Sequence, residues 1–369
     1  MKFQREYKCI PYYCGDTIFL YLPRPYEAPK ENTIKSFIYL SVVLTYEMTY
    51  KNGTITHHIY YPASVIKSHE KMALKNDAEK TAHVKRERKR TPKNAFDPRN
   101  ELNDLTGTEW IKLTKSVWFS TPPPRDELKE QHPATFAESD IEQLILFFTK
   151  KHQKVLDPFV GVGSTLIAAY NTERNAVGVE LIEKWVDIAK KRLDNMRAQR
   201  RLDQLEPLTK QEIIHGDARQ VLKQFRDEEF DFVVTSPPYW KILAKKPDHK
   251  TKRERLSKGL PTKYSEDSLD LGNIPKYEDF LEELKKVWAE CYRVLKKGKY
   301  MCVVVTDFRH KGEYILYHAD IAKIMQEVGF KLKGMIILVQ NNKTLYPYGY
   351  PFEFVPNVHH ENVMVFRKE

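Results

Sequence analysis

A doubly wound α/β fold built on a mostly parallel sheet is predicted for residues 105–369, behind a β-rich module over residues 1–104. Three observations predict it. From Lys154 onward, apolar runs with strand character alternate with stretches of helical spacing. Four of those runs stop at Asp157, Glu180, Asp217 and Ser236, the polar residues expected where strand ends face a ligand cleft. The chain then closes on two strands, Lys331–Val339 and Asn362–Arg367, with no helical pattern between them.

In order along the chain, Phe37–Tyr50 and Thr54–Tyr61 are rich in β-branched and aromatic residues and meet across Asn52-Gly53, a hairpin turn signal. A charged segment runs to about Asn100, and Trp110–Phe119 leads into the second half. Gln131-His-Pro-Ala-Thr-Phe136 precedes an amphipathic helix, Glu138–Thr149. Lys154-Val-Leu-Asp-Pro-Phe-Val-Gly-Val-Gly-Ser-Thr165 passes from a strand through a glycine turn into a helix, Leu166–Thr172. Gly161 and Gly163 let backbone approach a ligand, and the helix presents its amide end there. The lysine of a phosphate-binding P-loop is missing, since Ser164-Thr165 follow Gly163 directly, and so is the third glycine of the dinucleotide fingerprint. The next strand, Asn175–Glu180, ends in a carboxylate about twenty residues beyond the first glycine, the interval that suits a ribose ligand. Glu212–Asp217 follows, with capping of the helical run Ala218–Phe225 as the competing role for Asp217.

Asp231–Thr235 then stops in Ser236-Pro-Pro-Tyr-Trp240. Two prolines fix two φ angles and lack donors, which leaves the carbonyls of Ser236 and Pro237 free to meet a flat, amine-bearing ligand beside an aromatic face. Tyr277–Leu295 carries Phe280, Leu284, Val287, Trp288, Cys291 and Val294 at helical spacing and ends in Lys296-Lys297-Gly298. A strand, Tyr300–Thr306, a helix, Ala319–Val328, closed by Gly329, and the two last strands complete the pattern.

The Ser-Pro-Pro-Tyr string, the Asp-Pro-Phe-x-Gly-x-Gly-Ser-Thr string and the His-Pro-Ala-x-Phe string together resemble the DNA amino-methyltransferases that use S-adenosylmethionine (SAM). The resemblance covers roughly residues 105–369, and the motif order is similar to the family's gamma arrangement. It implies a Rossmann-like SAM-methyltransferase sheet whose last strand inserts antiparallel. It implies catalytic roles for Ser236, Pro237, Pro238 and Tyr239. Cofactor contacts follow at Thr135 and Phe136, and in the glycine loop at Asp157, Pro158, Phe159, Gly161, Gly163, Ser164 and Thr165. Glu180 with Leu181 takes the ribose, Asp217 with Ala218 the adenine amine, and Thr235 closes the set. Serine at position 236 goes with the N4 amine of cytosine in that family, with adenine N6 as the alternative. Methylation of a guanine amine in RNA and an inactive DNA-binding protein are the remaining readings; the intact cofactor motifs speak against the last. Ser120-Thr-Pro-Pro-Pro124 superficially repeats the catalytic string but lacks its aromatic, and reads as a stiff linker.

A net charge of +11 over 369 residues favours a polyanionic partner, expected to be double-stranded DNA. Basic residues cluster between Lys80 and Lys93 and between Lys241 and Lys263, the second stretch starting directly after the catalytic string. Only Lys241–Ile274 is spare for target recognition, so that role is shared with the front module, for which a homodimer contact is the other use. A restriction-modification role, with a separately encoded endonuclease as partner, accompanies the resemblance. Cys9, Cys14, Cys291 and Cys302 form no Cys-x-x-Cys pair, so neither a disulfide nor a metal is expected. His57-His58 lie on a strand and face opposite ways, and His360-Glu361 is expected to be structural at the sheet edge. No apolar run has the length of a membrane span and Met1–Lys8 has no signal-peptide core, giving a cytoplasmic expectation.

Overall fold

The computed structural model describes residues 10–14, 17–21, 45–51, 54–60, 96–121, 126–132, 137–200, 209–241, 257, 265, 267–341 and 343–369. The chain divides into two compact units, Met1–Arg88 and Lys89–Glu369. In the first, β1 (Ile10–Cys14) pairs antiparallel with β2 (Thr17–Tyr21), and β3 (Thr45–Lys51) with β4 (Thr54–Tyr60). The second hairpin is the one read from the sequence; its turn at Asn52-Gly53 and the stretch Phe37–Leu44 lie outside the described residues, as does the basic run from Lys80 to Lys93.

The second unit begins earlier than residue 105. Asn103 is fully buried and its amide donates to the Phe147 carbonyl at 2.6 Å, while Asp104 accepts from the Lys151 N–H. The residues just before 105, assigned to the front module from sequence, therefore pack on this unit. After them come α1 (Gly107–Leu113), β5 (Val117–Phe119), α2 (Glu127–Glu130), α3 (Glu138–Phe148), β6 (Lys154–Asp157), α4 (Ser164–Asn171), β7 (Asn175–Glu180), α5 (Glu183–Arg200), β8 (Gln211–His215), α6 (Ala218–Val221) and β9 (Phe230–Thr235). Then follow α7 (Tyr277–Val294), β10 (Leu295–Val305), β11 (Phe308–His310), β12 (Glu313–Ile315), α8 (Tyr317–Val328), β13 (Lys331–Val339) and β14 (His360–Arg367).

Eight of these strands form one sheet in the order β5-β13-β14-β10-β9-β6-β7-β8. All run parallel except β14, which pairs antiparallel with both β10 and β13, the arrangement expected of the last strand. The order reverses between β6 and β9, so the chain winds out to β8 and returns to build the other half. Ligands bind at such a switch point, outside the carboxyl ends of the strands.

Both faces of the sheet are covered, which is why its central strands read as unbroken apolar runs. Successive residues of a strand point to opposite faces, and the core divides accordingly. Leu156, Val233, Met301 and Val303 join one cluster with Phe280, Leu284, Trp288 and Cys291 of α7, whereas Val155, Phe232, Val234 and Cys302 join another with Ile141, Leu144 and Phe148 of α3. The buried face of α7 consists of the six apolar residues that predicted the helix.

Several elements differ from the sequence reading. Lys296-Lys297-Gly298 does not end α7 but opens β10, where the pairing with β9 shifts register and Gly298 adopts φ 78°. The helix expected to reach Phe225 stops at Val221 and continues as a 3-10 turn, Leu222–Gln224. The edge strand β5 and the β11–β12 hairpin were not anticipated, because three-residue strands are too short to show a period. Among the described residues no helix is long and apolar enough to cross a membrane.

Candidate functional site

A cavity of about 520 Å³ opens at the carboxyl ends of the central strands. Its wall includes Pro158–Val162 after β6, Glu180–Ile182 after β7, Gly216–Ala218 after β8 and Ser236–Tyr239 after β9. The four strand ends singled out in the sequence thus meet at one place. That volume lies within the ~300–1,000 Å³ usual for small-molecule and cofactor sites.

The glycine loop owes its shape to positions where a side chain does not fit. Gly161 and Gly163 have φ of 53° and 84°, the left-handed region that disfavours other residues. Gly178 in β7 lies under the loop: a Cβ there would approach the Val160 side chain to 2.7 Å. The loop is also tied to β7 by the Val160 N–H to Val179 carbonyl bond of 2.9 Å. Gly178→Ala is therefore expected to push Val160 into the cavity and lower stability by about 1–3 kcal/mol, visible as a lower Tm together with weaker SAM binding.

Asp157 is the hinge of the loop rather than part of the cavity wall. Its buried carboxylate accepts from the hydroxyls of Thr165 at 2.5 Å and Thr235 at 2.6 Å and from the Phe159 N–H at 3.0 Å. Burial pushes the Asp157 carboxyl up to about 6, against those three donors. Asp157, Thr165 and Thr235, expected as cofactor contacts, instead join the glycine loop, the first turn of α4 and the end of β9 behind the cavity. A further buried network holds the loop from outside. Glu138 at the start of α3 accepts from Lys129 at 2.6 Å, Arg192 at 2.6 Å and Ser164 at 2.8 Å, and Arg192 also donates to the Val162 carbonyl. Thr135 and Phe136 lie outside the described residues, although their neighbour His132 lines the cavity and packs edge-on against Trp185 at 4.9 Å.

Glu180 stands at the end of β7. One of its oxygens accepts from the Gly161 N–H at 3.0 Å and the other from the Ile182 N–H at 2.9 Å, which aims the carboxylate across the loop. Burial pushes the Glu180 carboxyl up to about 7; those two N–H donors oppose the shift, and the charges of Asp270 and Asp157 add to it. Each oxygen keeps a lone pair, so ribose hydroxyls can still donate to it. Leu181 and Ala218 also line the cavity.

Asp217 has a structural role beside the ligand role expected of it. It lines the cavity, but its carboxylate caps α6 by accepting the Arg219 N–H at 2.8 Å and is paired with the Arg219 guanidinium at 2.7 Å. Arg219 in turn reaches Glu283 at 2.7 Å. An adenine amine would share this carboxylate with Arg219, and the capping alternative is realised.

At the catalytic string the backbone is held on both sides. The Tyr317 hydroxyl donates to the Pro238 carbonyl at 2.9 Å, and the Tyr239 hydroxyl accepts the Thr306 N–H at 2.9 Å. The Tyr239 ring packs on Tyr317 at 5.5 Å and on Phe308 at 6.2 Å. Burial, with the Glu361 carboxyl beside it, pushes the Tyr239 phenol upward, against hydrogen bonds with Thr306 and Ser236. Beyond the string, Trp240 donates to the Ile274 carbonyl at 2.8 Å and Lys241 to the Pro275 carbonyl at 2.9 Å, so the chain leaves and re-enters beside the cavity. Most of the basic segment between these points lies outside the described residues.

The cavity wall also holds Thr306, Gln340, Lys343 and Glu361, none of them assigned a ligand from sequence. Glu361, read as structural, faces this cavity. Its carboxyl is pushed up by burial, with Lys343 opposing. The antiparallel insertion of β14 places residue 361 opposite Leu338 near the end of β13, a register that no local pattern announces. Between Gln340 and Glu361 the chain carries Tyr350, Phe352 and Phe354, with Phe352 94% and Phe354 89% exposed, along a groove of their own.

A family model described as DNA methylase matches residues 28–191 and 230–369. The type II methyltransferase M2.DpnII of Streptococcus pneumoniae is 33% identical over 100 residues, 27% of this chain and 35% of that protein. The type II methyltransferase M.HinfI of Haemophilus influenzae is 38% identical over 92 residues, 23% of this chain and 26% of that protein. These matches span about a third and about a quarter of the two relatives' own length. Among solved structures, TTHA0409 of Thermus thermophilus, complexed with S-adenosyl-L-methionine, is 31% identical over 42% of this chain and 53% of that one, at a TM-score of 0.29.

Proposed function

We propose, since the chain belongs to the DNA methylase family, that it transfers a methyl group from SAM to the exocyclic N4 amine of a cytosine flipped out of duplex DNA. One observation carries this: the glycine loop, Glu180 and the Ser-Pro-Pro-Tyr string open on a single cavity, so a cofactor on the first two ends at the third. The cavity suits SAM. The loop's left-handed glycines turn its backbone tightly beside the cavity, and the Glu180 carboxylate has lone pairs left for ribose hydroxyls. When bound, SAM supplies an electrophilic methyl on a positively charged sulfur.

The chain's own residues supply orientation and acceptors. A nucleobase amine donates its lone pair into the ring and is a poor nucleophile. The Ser236 hydroxyl and the Pro237 carbonyl accept hydrogen bonds from its two N–H groups, which draws the nitrogen toward tetrahedral geometry with its lone pair free. Tyr317 and Thr306 hold the string so that these acceptors stay in place. Tyr239 offers its ring to the base, which has to leave the stack for its amine to reach the methyl. The nitrogen would gain the methyl as the methyl–sulfur bond breaks to leave a neutral thioether, and one amine proton would pass by way of the Ser236 hydroxyl to solvent, with no covalent bond to the enzyme.

The net charge of +11 supports a DNA partner, and the exposed Phe352 and Phe354 supply stacking surface on a segment that starts and returns at the cavity wall. Replacing both by alanine is expected to weaken DNA binding by on the order of 10- to 100-fold, as loss of a stacked base would, while SAM binding stays unchanged. Equal DNA affinity in a mobility-shift titration would remove this loop from the interface. A restriction-modification role follows from the family.

The deciding experiment incubates the purified chain with unmethylated genomic DNA and SAM, then digests the DNA and identifies nucleosides by mass spectrometry. N4-methylcytosine is expected. N6-methyladenine would keep the enzyme class and overturn the base assignment, and no methylated deoxynucleoside would sink the DNA reading.

A further inference from the structure

The wall of the cavity nearest the catalytic string contains two polar atoms whose hydrogen bonds are unmet. Glu361 Oε2 and Gln340 Oε1 are both shielded from solvent and neither has a partner among the described residues. The two residues are neighbours on that wall: the Gln340 N–H donates to the His359 carbonyl at 2.8 Å, and the Gln340 amide opposes the upward push that burial gives the Glu361 carboxyl. Both line the cavity with Ser236 and Tyr239, and the Glu361 carboxyl lies close enough to the Tyr239 phenol to perturb it. Buried polar groups are ordinarily satisfied, so an unmet pair on a cavity wall marks the place where a ligand provides the missing partner.

We propose that Glu361, held by Gln340, reads the ring edge of the flipped base by donating a hydrogen bond from its carboxylic acid form to the ring nitrogen beside the reacting amine. This rests on the amino-methyltransferase reading above. In cytosine and adenine that nitrogen, N3 or N1, is an acceptor next to an amine. On the Watson–Crick edge of guanine and thymine the corresponding nitrogen, N1 or N3, carries a hydrogen and would face the Glu361 O–H donor to donor. Glu361 is thus a specificity-determining residue that admits the two bases whose Watson–Crick edge carries an amine beside a bare nitrogen, and Gln340 is a positioning residue. Lys343, on the same wall, attracts the carboxyl without a direct contact.

The test compares the full chain with Glu361→Gln, which keeps a donor and carries no charge, and with Glu361→Ala and Glu361→Leu. Methyl transfer to genomic DNA, SAM affinity and Tm without ligand are measured for each. Glu361→Gln is expected to transfer within about tenfold of the unmodified chain, whereas Glu361→Ala loses on the order of 100-fold in kcat/KM for DNA, with SAM affinity equal in all. Glu361→Leu, which removes an unmet buried oxygen, is expected to raise the Tm. Undiminished transfer by Glu361→Ala overturns the proposal, and so does a Glu361→Gln as impaired as Glu361→Ala, since an ionised carboxylate would then be required. A lower Tm for Glu361→Leu assigns the residue a structural role and overturns it too. If the unmodified chain methylates no DNA, the underlying reading fails, and the Tm comparison still decides whether Glu361 is a waiting ligand group.

Discussion

Replacing Ser236 by alanine is expected to slow methyl transfer in a single turnover by on the order of 10²–10³-fold, the loss typical when one preorganised polar group at a reacting atom is removed, while SAM affinity changes less than about threefold. The split follows from position. Ser236 follows β9, on the other side of β6 from the strand that carries Glu180, and in the proposed reaction it meets the amine rather than the cofactor. In the proposed reaction its oxygen is one of two acceptors that pull the amine out of conjugation, and alanine would leave one N–H unpartnered as the methyl approaches. The substitution removes one oxygen and leaves the Tyr317 and Thr306 tethers intact, so the protein should fold as before. Tyr239 separates stacking from tethering. Tyr239→Phe loses the bond from the Thr306 N–H but keeps the ring and is expected to stay within about tenfold of the original rate, whereas Tyr239→Ala loses the face that packs on Tyr317 and Phe308 and the transfer with it. Rapid-quench measurement of product with SAM saturating gives the rate, and calorimetric titration of SAM gives the affinity. A Ser236→Ala protein that transfers at the original rate would remove the serine from the chemistry.

The parts of this site that were legible in the sequence are those whose signal is local. A strand ending at Glu180 or Ser236 shows in a handful of consecutive residues, because a buried parallel strand is an apolar run and its end is where polar chemistry begins. The strand and helix order therefore gave the sheet, and the strand ends gave the cavity. Two kinds of information were not local. The first is what else a side chain does once its neighbours arrive: the sequence suggests ligand roles for Asp157 and Asp217, and the packing encloses Asp157 between Thr165 and Thr235 and pairs Asp217, on the cavity wall, with Arg219. A carboxylate at a strand end can serve the ligand or the loop, and only the packing decides which. The second is register across the sheet. Glu361 reaches the cavity because β14 inserts antiparallel between β13 and β10, bringing a residue far along the chain to the wall that Ser236 occupies. The His-Glu string was visible, but nothing beside it says which residue of β13 it meets.

Glu180 is the proposed ribose ligand on the cavity wall, and its environment makes a pH-dependent prediction. Its ordinary value as a glutamate is 4.5, and burial in the free protein raises it to about 7. The folded free protein therefore holds this proton more tightly than the unfolded chain does, and the group's contribution to stability is present at low pH and lost as pH rises through 7. Ligand binding runs the other way. Ribose hydroxyls donate to the ionised form, so bound SAM lowers the Glu180 value and binding releases a proton when the free carboxyl is protonated. SAM affinity is expected to be level above pH 8 and to weaken by approaching tenfold per pH unit as pH falls below about 6. Glu180→Ala is expected to weaken SAM binding at pH 8 by on the order of 100-fold, from the loss of two hydrogen bonds to a charged acceptor, and to flatten the pH profile. It also frees the Gly161 and Ile182 N–H groups, so part of that loss comes from a looser glycine loop. The pH profile tells the two contributions apart, because a loose loop weakens binding equally at every pH, whereas loss of a titrating ligand removes the slope. Titration of SAM from pH 5.5 to 8.5 in buffers of different ionisation enthalpy measures both the affinity and the proton released. An affinity in the unmodified chain that does not change over that range would assign the ribose to another group.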